Sequence, residues 1–417
     1  MIGGLIKSNR VAALAGAGFI ASALAVSPAQ AADLGGDCCA DLEERVATLE
    51  ATTARKGNRK VSLTISGWVN SGIFIWDDGT DSDAYVVSDN GSTLGSRFTF
   101  AGTAKINSRW SAGYNITVEV QSGDPFVGAL LNEGNSVANG ASQTNDDNEN
   151  FNLLYSYMYV KSEELGTISI GLQSQATDNI SIVDLSGTLF NTNNVLFRGN
   201  NFATGSGGTW GNAVGCTGIG TDCHGDPLNV IKYDSPAIAG FTLSASWGED
   251  DFYDVALKYA GQFGDFKVAA AAGYSNWGQD DYFRHIGVTG VGESEVFEAG
   301  GSVMHVPTGI FISGTYSQQE ADNSSGVQII DSDAWYIKAG IKQKWNSLGQ
   351  TAIYGEFAEY NSGAVDRYGI GLHQWIDAAS MQVYANWTHL EGQENIAGVL
   401  SEGDELDTFT VGGVIFF

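Results

Sequence analysis

From Val61 to the C-terminus the chain alternates between apolar and polar positions. Val61, Leu63, Ile65, Gly67, Val69, Ile73 and Ile75 share one face of an extended segment, with Ser62, Thr64, Ser66 and Asn70 on the other. Leu94, Phe98, Phe100, Ala104 and Ile106 alternate with Arg97, Thr99, Thr103 and Lys105. Beyond Asn107-Ser108, Trp110, Ala112, Tyr114, Ile116, Val118 and Val120 alternate with Ser111, Asn115, Thr117 and Glu119. A period of two is that of a strand with one apolar and one polar face. Repeated over segments of about ten residues, it is the pattern of a membrane-spanning sheet. It predicts about sixteen strands, near 61–76, 93–106, 109–121, 151–161, 166–174, 228–235, 240–248 and 252–260, then 264–276, 294–306, 309–319, 332–344, 349–360, 365–377, 379–390 and 407–417.

The connections carry a second signal. Short turns at 107–108, 162–165, 236–239, 261–263, 307–308, 345–348 and 378 interleave with longer loops at 77–92, 122–150, 175–227, 277–293, 320–331 and 391–406. An up-and-down membrane barrel sorts its connections this way, with tight turns at one mouth and free loops at the other. A closed sheet is also the one strand architecture that pairs every backbone N–H without water. The expected fold is therefore all-β, a transmembrane antiparallel up-and-down β-barrel over residues 61–417. Trp68, Trp76, Tyr155, Tyr157, Tyr159, Trp247, Tyr259, Tyr274, Trp277 and Trp387 lie in or near strand ends and are expected in the interfacial aromatic girdles, or else in ordinary cross-strand packing.

The first sixty residues follow other rules. Lys7 and Arg10 precede an uncharged apolar run from Val11 to Val26, and Ala29-Gln30-Ala31 then supplies small residues for cleavage. Residues 1–31 read as a secretory signal peptide, with a single membrane anchor as the alternative. In the segment 32–60, Leu42, Val46 and Leu49 fall at helical spacing among Glu43, Glu44, Arg45 and Glu50. This predicts a short amphipathic helix, either a trimerising stub or a locally packed one.

Composition supports an exported barrel. Lys and Arg number 20 against 48 Asp and Glu, a formal charge of -28. That excludes a nucleic-acid binder, which needs a basic footprint. Charged residues make up 16% of the chain, against roughly 25% in soluble domains, so a water-exposed surface would be poorly covered.

Glu164-Leu165-Gly166-Thr167-Ile168-Ser169-Ile170-Gly171-Leu172-Gln173 resembles the turn-and-strand signature of Gram-negative general porins. So does Asn229-Val230-Ile231-Lys232-Tyr233-Asp234-Ser235-Pro236 with Ala239-Gly240-Phe241-Thr242-Leu243-Ser244-Ala245. The stretch Asp33–Leu42, the strand Val61–Trp68 and the terminal Phe409–Phe417 are similar to the alphaproteobacterial porins of the rhizobial and Brucella type. Two departures stand out: Leu172 occupies a position where many porins carry Arg, and 175–227 lacks the usual Pro-Glu-Phe-Gly-Gly run. The resemblance implies a homotrimer in outer-membrane lipid that passes small hydrophilic solutes and ions. It implies recognition by the barrel-assembly machinery through Phe417. It also implies that the third long loop, 175–227, folds into the barrel and narrows it.

The loop acids Asp178, Asp184, Asp222 and Asp226 then face a wall whose inner phase carries Arg97, Lys105, Lys232, Lys258 and Lys338, with Glu119 and Arg367. Each is a candidate pore-lining or constriction residue, or an ordinary solvated lumen charge. Opposed charges would set a field across the passage and bias which ions cross it. Cys216 and Cys223 flank six loop residues in an exported chain, which predicts a loop disulfide, with free thiols as the alternative. Together with His224 they lack a fourth ligand for zinc, and no metal or other cofactor is expected. Nor is an enzyme: the histidines at 224, 285, 305, 373 and 389 are scattered, and none lies near a G-x-S-x-G elbow. The expected function is passive diffusion through a water-filled channel. The alternatives are a sugar- or oligopeptide-selective channel and a plugged adhesin barrel.

Overall fold

The computed structural model describes residues 60–87, 95–121, 150–189, 202–210, 227–249, 251–278, 291–323, 325–396 and 399–417. The expected signal peptide (1–31), all but the last residue of the expected helix (32–60), and Cys216, Asp222, Cys223, His224 and Asp226 lie outside the described residues.

The strands in chain order are β1 (Thr64–Asp77), β2 (Ser82–Val87), β3 (Arg97–Lys105), β4 (Trp110–Gln121), β5 (Asn150–Ser162) and β6 (Gly166–Gln173). Next come β7 (Leu228–Asp234), β8 (Phe241–Gly248), β9 (Tyr253–Phe263), β10 (Phe266–Trp277), β11 (Val291–His305) and β12 (Ile310–Asn323). The chain ends with β13 (Gln328–Gln343), β14 (Thr351–Tyr360), β15 (Val365–Ile376), β16 (Met381–Gly392) and β17 (Glu405–Phe416). Each pairs antiparallel with its neighbour, and β17 returns to β1 over Trp68↔Phe416 to Asp77↔Asp407. β2 and β3 share one position beside β1: β2 pairs with Gly72–Asp77 and β3 with Thr64–Trp68. Seventeen segments thus make a closed sixteen-stranded barrel. The return of β17 to β1 pairs the first strand with the last, the closure that a strand structure in hydrocarbon requires.

The period of two sorts the faces as expected. Ile65, Val69, Ile73 and Ile75 of β1 lie on the outer surface, while Asn70, Phe74 and Trp76 are buried within. The same outward row continues in Ile310 and Ile312 of β12, Ile370 and Leu372 of β15, and Phe409 and Val411 of β17.

Three expectations change, the first being that the segment 77–92, expected as a loop, contains strand β2 paired to the end of β1. The segment 320–331, expected as a long loop, is mostly strand: β12 runs to Asn323 and β13 starts at Gln328, because the apolar Ala321 and the polar tail around it continue the ladder. The aromatic girdle is smaller than expected. Trp247, Tyr259, Tyr274 and Trp387 lie on the outer face, but Trp68, Trp76, Tyr155, Tyr157, Tyr159 and Trp277 point inward. Trp76 and Trp277 turn inward because apolar partners meet them there, Phe202 at 5.3 Å and Phe252 at 4.6 Å between ring centroids.

Candidate functional site

The interior is built around the segment that follows β6. Gln173, the last residue of β6, accepts a hydrogen bond from Ser169 Oγ (2.6 Å) and donates to the Val230 carbonyl (3.1 Å), fixing where the chain leaves the wall. Ser174 Oγ bonds the Tyr155 hydroxyl (3.1 Å), and Lys232 Nζ donates to the Ser174 carbonyl (2.9 Å). From there residues 175–189 cross the inner wall from β8 to β13.

Each step of the crossing is pinned. The Ala176 N–H donates to Ser246 Oγ (3.0 Å), and the Thr177 N–H and hydroxyl both donate to Asp254 Oδ2 (2.5 and 2.6 Å). Ile180 and Val183 pack on Ala256, Ala269 and Ala271, whose methyl groups leave a shallow apolar seat. The Ile180 carbonyl oxygen lies 2.2 Å from where a Cβ on Gly300 would stand, so only glycine lets the loop come this close to β11. The Leu185 N–H donates to Ser302 Oγ (3.0 Å). At the far end Asp184 accepts from Ser313 Oγ (2.9 Å) and pairs with Lys338 Nζ (2.7 Å), the two side chains 3% and 1% exposed. Lys338 also donates to Thr188 Oγ1 (2.9 Å), and Lys342 donates to the Ser186 carbonyl (2.7 Å) while lying over the Trp375 ring. Burial alone would raise the Asp184 carboxyl; the Lys338 ammonium and the bonds from Ser186 reverse this and hold it below the ordinary carboxylate value. Further along, Phe202 and Trp210 bury against Phe74, Trp76, Tyr336 and Tyr360, and the Thr204 hydroxyl donates to the Val399 carbonyl.

Four cations of the wall are held by acids. Arg97 meets Glu119 at 2.7 Å and lies over the Trp68 ring at 4.9 Å. Arg367 meets Glu356 at 2.9 Å, and the Tyr336 hydroxyl donates to the other Glu356 oxygen (2.8 Å). Lys232 stands 4.0 Å from Asp234. Asp178 is buried near Lys258, whose Nζ is enclosed without a hydrogen-bond partner among the described residues. Lys105 shares the inner phase but sits exposed at the end of β3. The structure therefore brings Asp184 and Lys338 into contact rather than setting them across the lumen, and it adds Glu356, Asp234 and Asp254 to the interior. Those three were legible as acids at inner-phase positions of β14, β7 and β9. Their partners were not, because pairing across strands depends on register. Among the described residues no cluster of His, Cys, Asp and Glu is arranged to hold a metal ion.

The sequence matches the family described as Gram-negative porin over residues 12–414. No curated protein matches it. Among solved structures, the chain is similar to the anion-selective porin from Comamonas acidovorans, with 16% identity and a TM-score of 0.58, covering 86% of this chain and 100% of that one. Salmonella typhi OmpF in complex with daunomycin has 14% identity and a TM-score of 0.54, over 87% of this chain and 99% of that one. OmpT of Vibrio cholerae in its trimer form has 15% identity and a TM-score of 0.53, over 86% of this chain and 99% of that one. At such identities the likeness speaks for the fold.

Proposed function

The chain belongs to the Gram-negative porin family, and from that membership we infer how its interior works. It is an outer-membrane channel for passive diffusion of small hydrophilic solutes and ions. The observation that carries this reading is a closed barrel, apolar outside, with a polar inner wall on which residues 174–189 of its long loop are seated. Such a loop narrows the passage without blocking it, and the fixed charges around it bias the ions that pass. A channel rather than an enzyme is what both family and fold point to.

Three finer points belong to the same proposal. The channel is a homotrimer, as the resemblance to general porins implies and as OmpT of Vibrio cholerae is described. The alphaproteobacterial branch is supported by Asp33–Leu42 and Val61–Trp68. The terminal Phe417, 60% exposed at the end of the closing strand, is available to the barrel-assembly machinery. Arg97, Lys232, Lys258, Lys338 and Arg367, with Glu119, Asp178 and Asp184, set the potential along the passage, and Lys105 adds charge at its turn-side mouth. Because four of these cations are held by acids, the field is short-ranged beside each pair.

The test is single-channel conductance of the purified protein in a planar bilayer under a salt gradient. Stepwise ohmic openings, arriving in threes, are expected. A protein that inserts and never conducts would sink the channel reading in favour of a plugged adhesin barrel.

A further inference from the structure

On β5, Phe151, Leu153, Tyr155, Tyr157 and Tyr159 occupy alternate positions, which uninterrupted pairing would put on one face. The pairing is interrupted. Thr117 stands opposite Tyr155 and Val118 opposite Leu153, so Leu154 is an extra residue. Past such a bulge the two faces of a strand exchange. Above it Phe151 is 71% and Leu153 51% exposed on the outer surface; below it that place is taken by Met158, 56% exposed. The three tyrosines consequently turn into the lumen. Tyr155 bonds Ser174 at the root of the inward loop, which is possible only from inside.

The three rings form one column from the loop root toward the turn-side mouth, with alternate residues about 7 Å apart along the strand. Tyr155 and Tyr157 meet edge to face, 6.5 Å between centroids at 74°. The Tyr159 hydroxyl oxygen lies 2.3 Å from where a Cβ on Gly113 would stand. Glycine there lets the ring lie along the wall and present its face to the passage. Beside the column on β4 stand Asn115 and Thr117, bonded to each other at 2.9 Å, and Thr117 bonds Thr99 of β3 at 2.8 Å. On β6 the facing residues are Gly171 and Ser169. None of these flanking side chains ionises; of the cations around the column, Arg97 and Lys232 are held by Glu119 and Asp234, and Lys161 follows Tyr159 in the same row at the turn-side end.

We propose that this column is a binding track for neutral polyhydroxylated solutes, sugars first among them. An aromatic face accepts the C–H side of a pyranose ring, while hydroxyl and amide groups on either side replace the water around its hydroxyls. With Arg97 and Lys232 paired, little field at the loop-side end of the column favours an ion over such a solute. The proposal rests on the channel reading above.

The test uses the full-length protein in planar bilayers, with a linear gluco-oligosaccharide of about six units as probe and a polyethylene glycol of matched hydrodynamic size as control. The oligosaccharide should block the ion current saturably, with blocking events resolved in single channels, and the polymer should not. Tyr157→Ala with Tyr159→Ala should raise the half-blocking concentration about tenfold, the change expected for losing about 1.4 kcal/mol of binding. Tyr157→Trp with Tyr159→Trp should keep it within about threefold of the parent. A conducting channel that treats both probes alike, or alanine variants blocked as strongly as the parent, would overturn the track while leaving the channel. If the alanine variants fail to insert, the tryptophan variants and the two-probe comparison still decide. A protein that never conducts would overturn both.

Discussion

Lys338 and Asp184 show how one residue pair fixes the interior. Both are almost wholly buried and each is bonded further, Asp184 by Ser186 and Ser313 and Lys338 by Thr188. Removing one member of a buried pair strands the other charge, at a cost of about 3–5 kcal/mol. Lys338→Met should therefore release the loop from β13, seen as a rise in open-channel current noise with the barrel intact. Lys338→Met combined with Asp184→Leu should be quieter than Lys338→Met alone, because no charge is left unpaired. The pair also sets a pH dependence. Asp184 has a folded value below its unfolded one, so its contribution is complete above the ordinary carboxylate value of about 3.9 and is lost as pH falls through the depressed folded value. Noise should stay low through pH 5 and rise only below the ordinary carboxylate range; Asp184→Asn should abolish that step. Neutralising Arg97, Lys232 and Lys258 together should shift the reversal potential under a salt gradient, and an unchanged value would remove them from the passage.

At the scale of an element, the inward loop is held by the shape of its seat as much as by bonds. Alanines at 256, 269 and 271 and glycine at 300 keep the inner faces of β9, β10 and β11 low where Ile180 and Val183 cross them. A Cβ at position 300 would meet backbone, which cannot swing aside as a flexible side chain would. Gly300→Val should unseat residues 176–185, raising their amide hydrogen exchange by an order of magnitude or more while β11 and β12 stay protected. The same device recurs on the wall, where the Tyr354 ring occupies the space beside Gly371 and the Tyr384 ring that beside Gly412. A glycine on one strand lets an aromatic ring from the next lie flat, so large side chains line the lumen without filling it.

For the whole molecule, stability depends on closure. β17 supplies the partners of both β1 and β16, and the Gly67 and Phe417 backbones exchange two hydrogen bonds at the seam (3.0 and 3.1 Å). Truncation before residue 407 opens two edges at once, each a row of unpaired N–H and C=O groups facing hydrocarbon at several kcal/mol apiece. Such a chain should give no heat-modifiable band on gel electrophoresis. Phe417→Ala removes only an exposed ring and leaves the seam's backbone bonds in place. It should refold in detergent like the parent yet accumulate less in outer membranes, if the ring is read by the assembly machinery; equal accumulation would refute that role.

The alternation of Val61–Ile75 and of the strands after it determined the architecture, since a period of two with tight turns between apolar segments has one closed solution in lipid. The inner phase of Arg97, Lys232, Lys338 and Arg367 was legible for the same reason. Their partners were not: Glu119, Asp234, Asp184 and Glu356 become neighbours through strand register and through a loop that crosses from β8 to β13, and neither is written in local spacing. The inward turn of Tyr155, Tyr157 and Tyr159 was least legible of all. In sequence they continue the apolar phase of Phe151 and Leu153, and only the pairing of β4 with β5 reveals the extra residue at Leu154 that reverses it. A periodic pattern states which residues share a face, but which face meets lipid after a bulge is decided by the strand alongside.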